Sequence, residues 1–372
     1  MDGLKLNICS NGDPKSPKTW SGTPYNLYSE LINNDALGEA FDSNVFDSKY
    51  KSLLPKLVSK FYYGSSIGEE RTSFHRYVNA ERVRRKTSSS HVPSTLHTST
   101  LDLPFAILPK DQKHYLYCDS TWNLWSSHST AMDGYSKKLL VQAEKLEQRA
   151  YQQMAHIFSI SEYVKNNLVD HYKINSNNIT VVGTGLGVIK PFYGEKNYSN
   201  KKILFAAKGR FEDKGGYLVL EAFKKVLEFN PDIELLIVGQ NDYTKTIKLP
   251  NVRTFGFIAI DELQSIFNEC SLFLMPAINE PWGLVYLEAL SCKMPIIGLN
   301  KNSFPEISGY GKYGFGLDTN NPEDLARLII KLFEDNKKLK EIGQEAQEYC
   351  LNKFSWQKTV STILSTIEKT EK

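Results

Sequence analysis

Leu272–Gly298, LFLMPAINEPWGLVYLEALSCKMPIIG, is the stretch from which the reading of the whole chain proceeds. Leu272 to Met275 form a short apolar run that stops at Pro276. A loop follows to Pro281, and a helix resumes from about Gly283. Glu280 is the last acid before that helix and Glu288 lies inside it. Eight residues at helical rise place the two carboxylates roughly 12 Å apart on broadly similar faces. The free amides of Gly283, Leu284 and Val285 point out of the first turn and favour an anion there, so a phosphate fits. Carboxylates on either side of it can accept hydrogen bonds from hydroxyls. That describes a nucleotide diphosphate sugar, ribose one way and hexose the other. An ordinary helix-start acid and a solvated one have the same spacing, so the residues alone leave both readings open.

The run from Glu280 to Leu290, EPWGLVYLEAL, followed by Met294–Gly298, MPIIG, resembles the signature of family 4 retaining glycosyltransferases. The resemblance is strong over residues 200–330 and weaker before them, and Trp282 stands where that family more often has Phe. It implies an α/β chain of the GT-B fold, two Rossmann-like domains facing across a cleft. The implied division is an acceptor-side domain over 1–190, a donor-binding domain over 200–355, and a final helix, 356–372, returning to the first domain.

Composition agrees with two such domains. A chain of 372 residues is long enough for each to bury a core. A hydrophobic content of 41% with 45 basic and 42 acidic residues, net +3, describes a globular protein, not a disordered or nucleic-acid-coating one. No run approaches the ~18 apolar residues of a membrane span. The start, MDGLKLNICSNG, has no signal-peptide pattern, so a cytoplasmic protein is expected, in contact with a membrane surface if its basic segments touch one. Five cysteines, odd in number and widely spaced, read as buried reduced thiols. Neither a metal-binding Cys/His cluster nor a D-x-D triplet is present, so a metal-free reaction is expected.

Along the first domain, Leu4–Ser10 reads as a strand, and a glycine-bearing loop then enters a helix near Pro24. This makes Gly22 and Thr23 candidates for the donor's diphosphate. Residues 49–62 carry Lys49, Lys51, Lys56 and Lys60 beside Leu53, Leu54, Leu57, Val58 and Phe61; residues 82–86 add Arg82, Arg84, Arg85 and Lys86. Such segments either lie on anionic lipid or show solvated cations above a core-facing stripe. Pro55 leaves the first as two short pieces or as a helix beginning there. Residues 88–99, SSSHVPSTLHTS, show no clear period. Tyr115–Cys118 reads as a parallel strand that delivers Asp119 either toward the acceptor or transferred sugar, or to a capping role with Ser120 and Thr121. His91 and His97 are lesser candidates. A helix over 143–155, a strand over 157–160 and a linker near 188–200 complete this half.

The second half opens with strand Ile203–Ala207 and a turn bearing Arg210 and Lys214 before a helix. Two cations at a helix start attract phosphate, and the resemblance implies that they bind the leaving diphosphate. The loop Gly256–Ile258 resembles the family's backbone contact to the base, which makes Ile258 a candidate. The expected reaction is a retaining transfer of a sugar from a nucleotide diphosphate sugar to an acceptor hydroxyl. The diphosphate's developing charge is stabilised by Arg210, Lys214 and helix amides, and the expected setting is cell-surface polysaccharide or glycolipid synthesis. A sugar-nucleotide epimerase of the same shape and a non-catalytic sugar-nucleotide-binding subunit are the alternatives.

Overall fold

The computed structural model describes residues 4–46, 48, 50–101, 111–128, 132–207, 209–239 and 247–371. Lys49 of the first basic segment lies outside them. The chain forms two compact units, Met1–Gly185 with Trp356–Lys372, and Leu186–Ser355.

The first unit is built on a six-stranded parallel sheet of β1 (Leu6–Ser10), β2 (Leu37–Asp42), β3 (Ser94–His97), β4 (Lys113–Cys118), β5 (His156–Ser159) and β6 (Ile179–Val181). The order across it is β2-β1-β3-β4-β5-β6. From β1 the chain goes first to one side and then to the other, so the winding reverses between β1 and β3. The helix Trp356–Glu371 packs against the helix Thr23–Asn33 within this unit.

The strand β3 falls in the stretch that showed no period, and all four of its residues are buried between β1 and β4. A hydropathy reading misses it because its side chains are mostly polar; His97 Nε2 and His114 Nδ1 lie 2.8 Å apart across β3 and β4. Burial, and then His97, push the His114 imidazole down to about 3, so that ring sits uncharged in the sheet. That is a packing role for His97, while His91 lies in an exposed loop.

The first basic segment forms one helix, Leu53–Tyr63, with Pro55 in its first turn, where no intrahelical N–H is needed. Of the apolar set named above, only Val58 is half-buried. Pro55 and Ser59 are buried, whereas Leu53, Leu54, Leu57 and Phe61 are exposed. In the second segment, on the helix Ser73–Ser89, Arg84 and Arg85 both pair with Glu81. No helix among the described residues is long and apolar enough to cross a membrane.

The second unit repeats the plan with β7 (Lys202–Ala206), β8 (Glu234–Val238), β9 (Val252–Phe255), β10 (Leu272–Leu274), β11 (Ile296–Leu299) and β12 (Gly314–Leu317). These strands are parallel, in the order β12-β11-β10-β7-β8-β9. Ile203, Leu204 and Phe205 of β7 and Leu272, Phe273 and Leu274 of β10 are fully buried, the continuous apolar pattern of strands covered on both faces. Here the winding reverses between β7 and β10. Residues 188–196 pack on this unit: Lys196 Nζ donates to the carbonyls of Phe267, Asn268 and Cys270, closing the end of the helix Ile260–Glu269.

Candidate functional site

In an open parallel sheet, ligands collect beyond the carboxyl ends of the strands where the winding reverses, because two successive loops part there and leave a crevice. In the second unit that place lies beyond β7 and β10, which pair directly through Leu272 with Ile203 and Phe273 with Leu204. The loop after β7 carries Arg210 and Lys214; the loop after β10 carries Glu280.

Sheet pairing alone brings these loops side by side, and local chemistry holds them. Gly209 (φ 67°) and Arg210 (φ 57°) are left-handed, turning the chain sharply after β7. Gly215, also left-handed, lies so close to the Pro276 carbonyl that any side chain would collide with it. Asp213 is the pin of the arrangement. Its carboxylate accepts from Arg210 Nε at 2.9 Å, and its carbonyl accepts the Ile278 amide at 2.8 Å. Arg210 Nη2 also reaches the Asn279 carbonyl at 3.3 Å.

Lys214 forms an ion pair with Glu280, both side chains being largely buried. Burial first, and then the Arg210 guanidinium, push the Lys214 ammonium down to about 7, with Asp213 opposing. The Glu280 carboxylate against it also works to keep the proton on the amine. The site therefore holds two cations and two carboxylates beside the start of a helix.

That helix runs Leu284–Ser291, one residue later than expected, with Gly283 as a left-handed cap (φ 81°). Only the last part of the path from Glu280 to Glu288 is helical, so the separation of roughly 12 Å derived from a continuous helix does not apply. The Leu284 and Val285 amides have no intrahelical acceptor, whereas the Tyr286 amide is taken by the Gly283 carbonyl at 2.9 Å. Ser303 Oγ donates to the Pro281 carbonyl at 2.5 Å, and the Tyr286 hydroxyl donates to the Met275 carbonyl, bracing the loop from two sides. Two buried donors in it, Asn279 Nδ2 and Trp282 Nε1, have no acceptor among the described residues. The indole N–H is a group that phenylalanine at this position would not supply.

Glu288 is buried, not solvated. Its Oε1 accepts the amides of Val188 and Ile189 at 2.7 and 3.2 Å, and Gly187 packs directly on the carboxylate. Burial pushes its carboxyl up to about 6, against the two amide hydrogen bonds. A carboxyl that holds its proton more tightly folded than unfolded makes stability fall as pH rises between the ordinary value of 4.5 and about 6. Glu288→Gln, whose amide oxygen still accepts both N–H groups, is expected to flatten that segment of the melting-temperature profile. A variant profile with the wild-type slope would refute this. Ile258 lies beyond the carboxyl end of β9, the edge strand, half-buried and separated from β7 by β8.

In the first unit, Gly22 caps the helix Thr23–Asn33 in a left-handed conformation (φ 85°), following Trp20 (φ 46°) and Ser21 (φ 57°). The Thr23 amide is occupied by the Trp20 carbonyl and Pro24 has no N–H, so the helix start offers fewer amides than the bare pattern suggests. In this loop beyond β1, Gly22 is buried and Thr23 half-buried.

Asp119 lies beyond β4. It does not cap the following helix: Thr121 Oγ1 accepts the Leu124 amide at 3.2 Å and takes that role. Burial pushes the Asp119 carboxyl up to about 6, while backbone amides and the Arg71 charge oppose. Arg71 was not legible as a site residue. It stacks over Trp122, 4.6 Å from the ring centre, and reaches Glu147 at 3.4 Å. Nothing local in the sequence joins Arg71, Asp119 and Glu147, which come from three separate elements.

Among the described residues no cluster of His, Cys, Asp and Glu is suited to hold a metal ion, and the five cysteines are buried, none of them in a disulfide.

Two six-stranded parallel sheets, each wound outward from a central reversal, define a two-unit Rossmann-like protein of the GT-B class. A crystal structure of Anabaena HepE in complex with UDP superposes at TM-score 0.68, covering 98% of this chain and 100% of that one at 14% identity. Residues 191–349 match the sequence pattern of the glycosyl transferases group 1 family. An uncharacterized glycosyltransferase of Methanocaldococcus jannaschii is 28% identical over 57% of this chain and 59% of its own length. The capsular polysaccharide biosynthesis glycosyltransferase CapM of Staphylococcus aureus is 26% identical over 54% of this chain and 58% of its own length. The chain thus matches somewhat more than half the length of these curated relatives.

Proposed function

We propose that the protein transfers a sugar, with retention of anomeric configuration, from a nucleotide diphosphate sugar to an acceptor hydroxyl. The observation that carries this reading is the ion pair of Lys214 with Glu280 at the reversal of the second sheet, with Arg210 on one side and the Leu284 and Val285 amides on the other.

Breaking a glycosidic bond to a diphosphate leaves negative charge on the leaving oxygens. Lys214, Arg210 and the helix amides are donors already in place to receive it. A bound diphosphate competes with Glu280 for the Lys214 ammonium, which frees the carboxylate to accept hydroxyls of the sugar. Glu288, held by the 188–189 amides, is assigned to the ribose, and Ile258 to the base. The unpartnered Asn279 and Trp282 donors match a ligand rich in oxygen acceptors.

In the first unit, Asp119 is assigned to the acceptor and Gly22 and Thr23 to the diphosphate. No enzymic nucleophile is evident at the Glu280 site, so the acceptor's proton passes to the leaving diphosphate oxygen on the same face of the sugar. The capsular relative supports a setting in polysaccharide or glycolipid synthesis. Contact with an anionic membrane through the segment over 49–62 fits a lipid-linked acceptor.

The test is a melting-temperature screen against nucleoside diphosphates and their sugars, followed by incubation with the stabilising donor. A binder of the folded state at a hundred times its Kd adds about 2.7 kcal/mol of stability. The expected result is stabilisation by one diphosphate and its sugars, and loss of donor only when an acceptor is added. Isomerised sugar from donor alone would replace this reading with an epimerase, and no stabilisation by any member would remove it.

A further inference from the structure

We infer that the helix Leu53–Tyr63 seats the first unit on an anionic lipid surface, with its apolar ridge entering the headgroup layer. Exposure and charge carry this, and it holds whether or not the transfer reading does.

At 100° per residue, Leu53, Leu57 and Phe61 form one row along the helix. Leu54 flanks that row on one side, and Lys56 and Lys60 flank it on the other. The opposite face is the attached one: Pro55 and Ser59 are buried, and Ser59 Oγ donates to the Ser65 carbonyl at 2.7 Å. Leu57 is 65% exposed and Phe61 84%. An isolated exposed leucine needs no explanation, but a continuous apolar row on a surface helix marks a place where something docks.

The charge pattern selects the occupant. Residues 48–68 contain no acid, so the segment itself is cationic, with Glu69 the nearest acid after it and within electrostatic reach of Lys56. An apolar face bordered by lysines is the pattern of a helix lying in a bilayer interface, with the lysines at the phosphate level. A second copy docked on the same face would bring like charges together. On the neighbouring helix, by contrast, Arg84 and Arg85 already pair with Glu81.

The experiment is co-sedimentation of the full chain with vesicles of phosphatidylcholine alone and of phosphatidylcholine mixed with phosphatidylglycerol. The protein is expected to pellet with the mixed vesicles and far less with the neutral ones. Leu57→Glu with Phe61→Glu should weaken binding roughly tenfold or more. Lys56→Gln with Lys60→Gln should weaken it as well and reduce its dependence on salt. All four side chains are exposed, so an unchanged melting temperature is the control for folding. The inference is overturned if the wild type stays in the supernatant with mixed vesicles, or if the glutamate pair binds as well as wild type. It is also overturned if the wild type is a dimer that Leu57→Glu dissolves, because the occupant is then a second copy.

Discussion

Lys214→Ala is expected to reduce sugar transfer by roughly 10²- to 10³-fold, the scale of losing one preorganised donor to a developing oxyanion, and to lower the melting temperature somewhat, because it leaves the largely buried Glu280 carboxylate without its partner. The loop itself is still held by Asp213, Ser303 and Tyr286, so the variant should fold. Because Lys214 and Glu280 touch, their effects should not add, and the double alanine variant should lose much less than the product of the two single losses. Charge and shape separate through Lys214→Arg. With its ammonium pushed down by burial and Arg210, the wild type should lose activity as pH rises through neutrality, where the amine gives up its proton. An arginine keeps its charge throughout, so a residual activity in Lys214→Arg should lack that falling limb. Transfer by Lys214→Ala within about threefold of wild type, in a folded protein, would sink the assignment.

The site was legible to the extent that its parts are local. Lys214 and Glu280 each sit in a strand-loop-helix unit whose signals lie within a dozen residues, and sheet order did the rest by pairing β7 with β10. What the sequence could not reveal lies in contacts made far along the chain. Glu288 closes on amides a hundred residues earlier, and Asp213 joins two loops through its backbone as much as its carboxylate. Periodicity failed twice for opposite reasons. In β3 a central strand is mostly polar, and its His97 meets His114 inside the sheet. In the helix Leu53–Tyr63 the apolar residues follow helical spacing and face outward, and no pattern rule distinguishes a stripe that faces a core from one that faces solvent.

The second large effect is on stability. Glu147→Ala is expected to cost about 3–5 kcal/mol, the range for breaking a buried ion pair from one side. Glu147 is almost fully buried on the helix Lys137–Gln152. Its Oε1 accepts from Arg76 Nη1 at 3.1 Å, from Thr100 Oγ1 at 2.8 Å and, more distantly, from Arg71 Nη1. Arg76 is also completely buried, with Nη2 donating to the Thr100 carbonyl at 2.7 Å. Removing the carboxylate therefore takes away a charge that faces a guanidinium in the interior, and leaves Arg71 less firmly held against Trp122. Four of the five tryptophans, Trp20, Trp122, Trp125 and Trp356, belong to the first unit, so denaturant unfolding followed by fluorescence reports chiefly on it. The Glu147→Ala midpoint should fall steeply in that signal, and Glu147→Gln, which keeps an acceptor for Thr100 and Arg76, should fall less. Pairing Glu147→Leu with Arg76→Met should recover much of the loss, because an apolar pair of similar volume carries no desolvation cost. A Glu147→Ala protein within about 1 kcal/mol of wild type would mean that the cluster does not hold this unit together. Reduced transfer in a stably folded Glu147→Gln would instead tie the cluster to catalysis, through the Arg71 charge that acts on Asp119.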